Sequence, residues 1–129
     1  MDLRLDLLDQ ALARLSEAIA VPRESPLAVD GTIQRFEFAY ELFWKTLKAA
    51  LLEAGIGVQT PRDALRQGFV AGWLDDEALA LRMLQARNLT SHAYDEVLAL
   101  EVYAGVPSFL ALMSRTSAVV RTRLGGAAG

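Results

Sequence analysis

The sequence predicts an all-α fold: an antiparallel, up-down bundle of four main helices with one extra short helix. Three observations predict it. Apolar residues recur at intervals of three and four along nearly the whole chain. Prolines and glycines fall mostly between those periodic segments. No segment shows the strict alternation of a half-buried strand. With 129 residues, 53% of them hydrophobic and a net charge of −3, the chain is the size of one domain and too apolar for wholesale disorder. A single bundle over residues 1–124 is expected, followed by a small-residue tail over 125–129.

In the first segment Leu5, Leu8, Leu12, Leu15 and Ile19 form one stripe, while Asp6, Gln10, Arg14 and Glu17 lie off it. This predicts helix 1 from about Asp2 to Ala20, ending before Pro22, with a loop over Pro22 to Val29. Asp30 is the expected N-cap of helix 2, which runs from Gly31 to Ala54 and stops at Gly55. Its face is Phe36, Tyr40, Phe43, Leu47 and Leu51, widened by Trp44. At 1.5 Å per residue it is roughly 36 Å long, the height of a bundle.

Thr60, Pro61 and Asp63 make a compact helix start: a cap, a proline at the first position and an acid at the third. Helix 3 then carries Leu65, Phe69 and Trp73 and ends near Gly72. Asp75, Asp76 and Glu77 suit the N-terminus of helix 4, which passes Leu81 and Leu84 to about Asn88. Asp95 and Glu96 begin the last helix, with Val97, Leu100 and Tyr103. Pro107 predicts a kink or break before the pattern resumes through Phe109, Leu112 and Met113.

Composition excludes several chemistries. The chain has no cysteine, so neither a disulfide framework nor a thiolate metal site is available. One histidine, His92, argues against a zinc or di-iron centre, and no metal or other cofactor is expected. The acidic, amphipathic N-terminus is unlike a signal peptide, and no apolar run approaches the ~20 residues of a membrane span. A cytoplasmic protein without membrane contact is therefore expected. A mildly acidic chain binds RNA only through a local site.

The candidate site is the stretch Arg87-Asn88-Leu89-Thr90-Ser91-His92-Ala93-Tyr94-Asp95. On an unbroken helix Arg87 and His92 would point about 140° apart, so cooperation requires helix 4 to end between them. Asn88, Thr90, Ser91 and Asp95 suit such an end and restart. Arginine offers a planar fork for a phosphate, and histidine exchanges a proton near neutral pH; together they suit metal-free cleavage of RNA through attack by the ribose 2′-OH. The plainer alternative is that Arg87 pairs with a carboxylate and His92 caps a helix end. Glu37 and Glu41 stand one turn apart and either repel weakly on a solvated face, meet a basic partner or line the motif cleft. Arg62 and Arg66 share a face of helix 3 and suit either solvent or a phosphate backbone.

The stretch R-N-L-T-S-H-A-Y resembles the R-x4-H-x-Y motif of HEPN-domain proteins. The segment from Arg35 to Lys48, with Pro61-Arg62-Asp63 and Arg87 to His92 following in order, resembles the nucleotidyltransferase substrate-binding proteins over about residues 3 to 115. That resemblance implies a HEPN-like bundle that forms a homodimer and works beside a separately encoded minimal nucleotidyltransferase, as its substrate-binding or partner subunit. It also implies an alternative: the toxin of a toxin–antitoxin pair, a metal-independent endoribonuclease silenced by nucleotide addition to Tyr94. Arg87 and His92 are then catalytic, Asn88 supports them, Tyr94 is modified, and RNA or a nucleotide is the ligand. The apolar second helix and Phe109 to Met113 exceed what one small bundle needs, which independently favours a symmetric dimer with two motif copies in a shared cleft.

Overall fold

The structure, a computed structural model, describes residues 1–92 and 94–125. The elements in order are α1 (Asp2–Ala20), α2 (Pro26–Glu53), α3 (Pro61–Val70), α4 (Glu77–Leu89), a 3₁₀ turn (Thr90–His92) and α5 (Glu96–Leu124). No strand occurs among the described residues. The long helices α1, α2, α4 and α5 form the antiparallel bundle. The short α3 packs against α2 and α4. Apart from Gly125, the expected tail lies outside the described residues.

Caps mark most of the boundaries. Thr60 Oγ1 accepts from Asp63 N at 3.1 Å, Asp76 Oδ1 from Leu79 N at 2.9 Å, and Asp95 Oδ1 from Val97 N at 3.0 Å. Both α2 and α3 end in a glycine of positive φ, Gly55 at 85° and Gly72 at 80°. Each glycine opens the same six-to-one closure: Ile56 N donates to Leu51 O at 2.8 Å, and Trp73 N to Gly68 O at 2.9 Å.

Three boundaries differ from the sequence expectation. Helix 2 begins at Pro26 with Ser25 as N-cap, so Pro26 to Val29 belong to the helix and Asp30 lies inside it. A serine followed by proline is a proper helix start, because the missing N–H would be unpaired there anyway. Trp73 is not on a helical face of α3. It follows the glycine turn and folds back into the core at 6% exposure, whereas Phe69 is 39% exposed. Pro107 does not break α5, which runs continuously for 29 residues. Proline costs this helix a backbone bond, but Val102, Val106, Phe109 and Met113 are buried on both sides of it and hold the two halves in register.

The core is the expected stripe of α1, the aromatic face of α2 and the apolar face of α5. The Phe36 and Phe109 rings meet with centroids 5.6 Å apart. Phe109, Leu112 and Met113 are inside the bundle, so of the two segments expected to serve a dimer only α2 keeps large apolar side chains exposed: Leu27, Phe38 and Leu52. Polar ties fasten α5: Arg121 to Asp6 and Asp9 on α1, and Arg115 to Asp75 before α4. By length and composition α5 is apolar enough to cross a membrane, with mean hydropathy 1.6 over an 18-residue window. Leucine, valine and alanine spread along the helix raise its hydropathy without a contiguous run, and its apolar stripe packs on α1, α2 and α4.

Candidate functional site

Helix α4 ends at Leu89, between Arg87 and His92, as cooperation of the two requires. The stop is made by local side chains. Thr90 Oγ1 donates to the Arg87 carbonyl at 2.7 Å, and Ser91 Oγ donates to the Asn88 carbonyl at 3.1 Å. Each hydroxyl satisfies a carbonyl of the last turn and draws the chain into the 3₁₀ turn.

Arg87 points toward α2. Its Nη1 donates to Thr90 Oγ1 at 2.9 Å and lies 3.7 Å from Glu37 Oε2; its Nη2 lies 3.6 Å from Glu41 Oε1. The guanidinium is half-buried. Glu37 and Glu41, one helical turn apart, therefore line the motif cleft and pair with its arginine. Trp44 Nε1 donates to Glu41 Oε2 at 3.1 Å, and Lys45 Nζ is 3.9 Å from the same oxygen. Tyr40, on the core side of this row, is buried; burial foremost, and then the Glu41 charge, push its phenol up to about 12, against the opposing pull of Arg87. Tyr40 Oη and Arg87 Nε are both buried, with no hydrogen-bond partner among the described residues.

His92 turns the other way. It is exposed, and its Nδ1 lies 3.3 Å from Tyr94 Oη, with the two rings edge-on at 5.9 Å. Tyr94 is 85% exposed and does not serve as a packing residue ahead of the Asp95 cap. It borders an open groove of about 520 Å³ between the α1–α2 connection and the first turns of α5. Asn88 is exposed, and its side chain makes no hydrogen bond among the described residues. Ala93 lies outside the described residues. The motif thus forms two half-sites: Arg87 set against α2, and His92 with Tyr94 at the start of α5. No hydrogen bond or ion pair among the described residues joins Arg87 to His92.

Arg62 and Arg66 are exposed on α3. Among the described residues no group of three or more His, Asp or Glu side chains could hold a metal ion. Sequence reasoning missed the Trp44–Glu41 bond and the position of Tyr40 behind the site. The E-x-x-W spacing on α2 is the available signal for the first, since residues i and i+3 share a helical face.

Comparison with known proteins agrees with this fold. Residues 3–121 match the family described as nucleotidyltransferase substrate binding protein like. A Haemophilus influenzae protein named probable ribonuclease HepT is 32% identical over 112 residues, covering 80% of this chain and 77% of the relative. A crystal structure of a Thermus thermophilus protein superposes with a TM-score of 0.84 at 37% identity, over 88% of this chain and 98% of that one. A Haemophilus influenzae structure, described as revealing the fold of a substrate binding domain of a nucleotidyltransferase, superposes with a TM-score of 0.81 at 29% identity, over 91% and 98%. The chain belongs to the nucleotidyltransferase substrate-binding-protein-like family.

Proposed function

We propose that this chain is the helical substrate-binding and partner subunit of a two-component minimal nucleotidyltransferase system, acting in the cytoplasm as a homodimer. The observation that carries this reading is the match to the family over residues 3–121. The geometry supports it: Arg87 makes one side-chain hydrogen bond, from Nη1 to Thr90, and its contacts with Glu37 at 3.7 Å and Glu41 at 3.6 Å are longer than hydrogen bonds, so the remaining Nη donors at the cleft suit an anionic group such as a phosphate. The exposed Leu27, Phe38 and Leu52 of α2 suit a second copy, which would bring two copies of each half-site together. Coexpression with a separately encoded minimal nucleotidyltransferase of the same genome tests the reading: the two chains copurify as one complex, whereas elution as separate species counts against it.

A second reading is favoured by a specific relative, the probable ribonuclease HepT. In it the chain is a metal-independent endoribonuclease. Arg87 stabilises the phosphorane, His92 moves the proton, Asn88 supports them, and nucleotide addition to Tyr94 silences the site. The 3.3 Å contact between His92 and Tyr94 fits silencing, because a group on the Tyr94 oxygen would stand against the imidazole. Cleavage of RNA by purified protein in EDTA, lost in His92→Ala, separates this reading from binding alone.

A further inference from the structure

We propose that the groove beside Tyr94 is a nucleoside-binding site, which receives the sugar and base of a nucleotide joined to the Tyr94 oxygen. The inference rests on the reading that Tyr94 accepts a nucleotide, and adds the place where that nucleotide lies. The groove holds about 520 Å³ and runs between the α1–α2 connection and the first turns of α5. Its floor is apolar: Val29 and Ala99 are buried and Leu100 is half-buried. Its rim is charged, with Arg23, Glu24, Asp30 and Glu96 all exposed.

The lining selects the ligand. The volume is that of a small-molecule pocket, roughly 300–1,000 Å³. Three carboxylates face one guanidinium. Such a rim repels an RNA strand or a free triphosphate, whose charges would lie beside the acids. Carboxylates only accept hydrogen bonds, so their partners must donate. A nucleoside meets that demand. It is uncharged, its ribose hydroxyls donate, and adenine, guanine and cytosine each carry an exocyclic amine. Its ring suits the apolar floor. Arg23, whose guanidinium carbon lies 6.0 Å from the Tyr103 ring centroid, offers a planar cation for a base to stack on.

The tether keeps the phosphate away from the acids. In the transfer, the Tyr94 oxygen bonds the α-phosphorus of a nucleoside triphosphate supplied by the partner enzyme. The bond to pyrophosphate breaks, pyrophosphate leaves, and the phenol proton passes to solvent. The resulting phosphodiester carries a single negative charge, beside His92, whose Nδ1 lies 3.3 Å from that oxygen. A short tether holds the nucleoside at a millimolar effective concentration, so a shallow, open groove suffices. Docking in turn keeps the phosphodiester against the imidazole, which a freely rotating group would not do.

The test compares the full-length chain, labelled with nitrogen-15, before and after coexpression with the partner nucleotidyltransferase. Mass spectrometry first establishes the added mass on Tyr94. The amide signals of Val29, Ala99 and Leu100 should then differ between the two forms. Shifts confined to residues 91–96 would overturn the proposal. Release of the nucleotide by a phosphodiesterase gives a second readout. Asp30→Asn combined with Glu96→Gln should speed release about tenfold over wild type, because hydrogen bonds to two charged groups are weakened. Arg62→Gln, on α3, should leave the rate unchanged. Equal rates in wild type and the double variant would count against the groove. If coexpression leaves Tyr94 unmodified, the reading of Tyr94 fails, and titration of the unmodified chain decides the groove by itself. Millimolar cytidine should then shift the same three amides more than uridine, which lacks the amine. Absent or equal shifts would overturn the site.

Discussion

Arg87 and His92 lie five residues apart and face different neighbours: Arg87 sits 3.6 Å from Glu41 on α2, while His92 sits 3.3 Å from Tyr94 at the head of α5. The end of α4 at Leu89 separates them. Five residues of unbroken helix would also separate them, but by fixed rotation about one axis. The turn instead places one on the bundle wall and the other on a short exposed connection. In the proposed ribonuclease reading, an arginine held by α2 and an exposed histidine beside a tyrosine would act on one phosphate from two directions.

If the chain cleaves RNA, His92→Ala and Arg87→Ala should each reduce the rate by roughly 10²–10⁴-fold. Their effects should be non-additive, because both act on one transition state. The products should end in a 2′,3′-cyclic phosphate, and RNA carrying 2′-deoxyribose at the cut should resist. Circular dichroism should show intact helices in His92→Ala, whose side chain is exposed.

Tyr94→Phe should abolish nucleotide addition by a partner nucleotidyltransferase and leave the melting temperature unchanged, since the side chain is 85% exposed. Mass spectrometry after coexpression reads this directly. Added nucleotide mass on Tyr40 would contradict the assignment, because that residue is buried at 1% exposure.

Tyr40 also predicts an alkaline limit. Its pKa rises from 10.0 to about 12 on folding, so the native state holds the phenol proton more tightly than the unfolded chain does. The corresponding stability is complete below pH 10 and is lost as the pH rises through 12, a loss on the order of 3 kcal/mol. Tyr40→Phe should flatten denaturation midpoints over that window. It should be close to neutral at pH 7, because it deletes a buried hydroxyl that has no hydrogen-bond partner among the described residues.

Gly68→Val should destabilise the bundle by about 1–3 kcal/mol through overpacking. A Cβ at Gly68 would stand 2.6 Å from Leu74 Cδ1 and 3.2 Å from Leu47, and both leucines are buried. Urea titration should show the lowered midpoint, while Gly57→Ala, where a Cβ meets nothing within 4 Å, should change little.

Much of this fold was legible because local signals agree with the tertiary outcome. The leucine stripe of α1, the aromatic face of α2 and the Thr60 cap all depend on residues a turn or less apart. The misses have separate causes. Ser25 and Asp30 are both good caps, and the choice between them is made by Val29, whose burial pulls the preceding turn into the helix. Trp73 has helical spacing from Phe69, but the positive φ of Gly72 ends the helix before it. Pro107 is outweighed by packing on either side. At the site, the spacing of Arg87 and His92 foretold a helix end between them. The partner of Arg87 was not fixed by spacing, because which face of α2 meets α4 is set by the register of two helices far apart in sequence.

Complex formation with the nucleotidyltransferase tests the central claim most directly. The purified chain and a separately encoded minimal nucleotidyltransferase from the same genome are mixed at micromolar concentration and resolved by size-exclusion chromatography with light scattering. One species is expected, whose mass is a dimer of this chain plus bound nucleotidyltransferase. Two unassociated peaks, each with the mass of its free component, would contradict the claim.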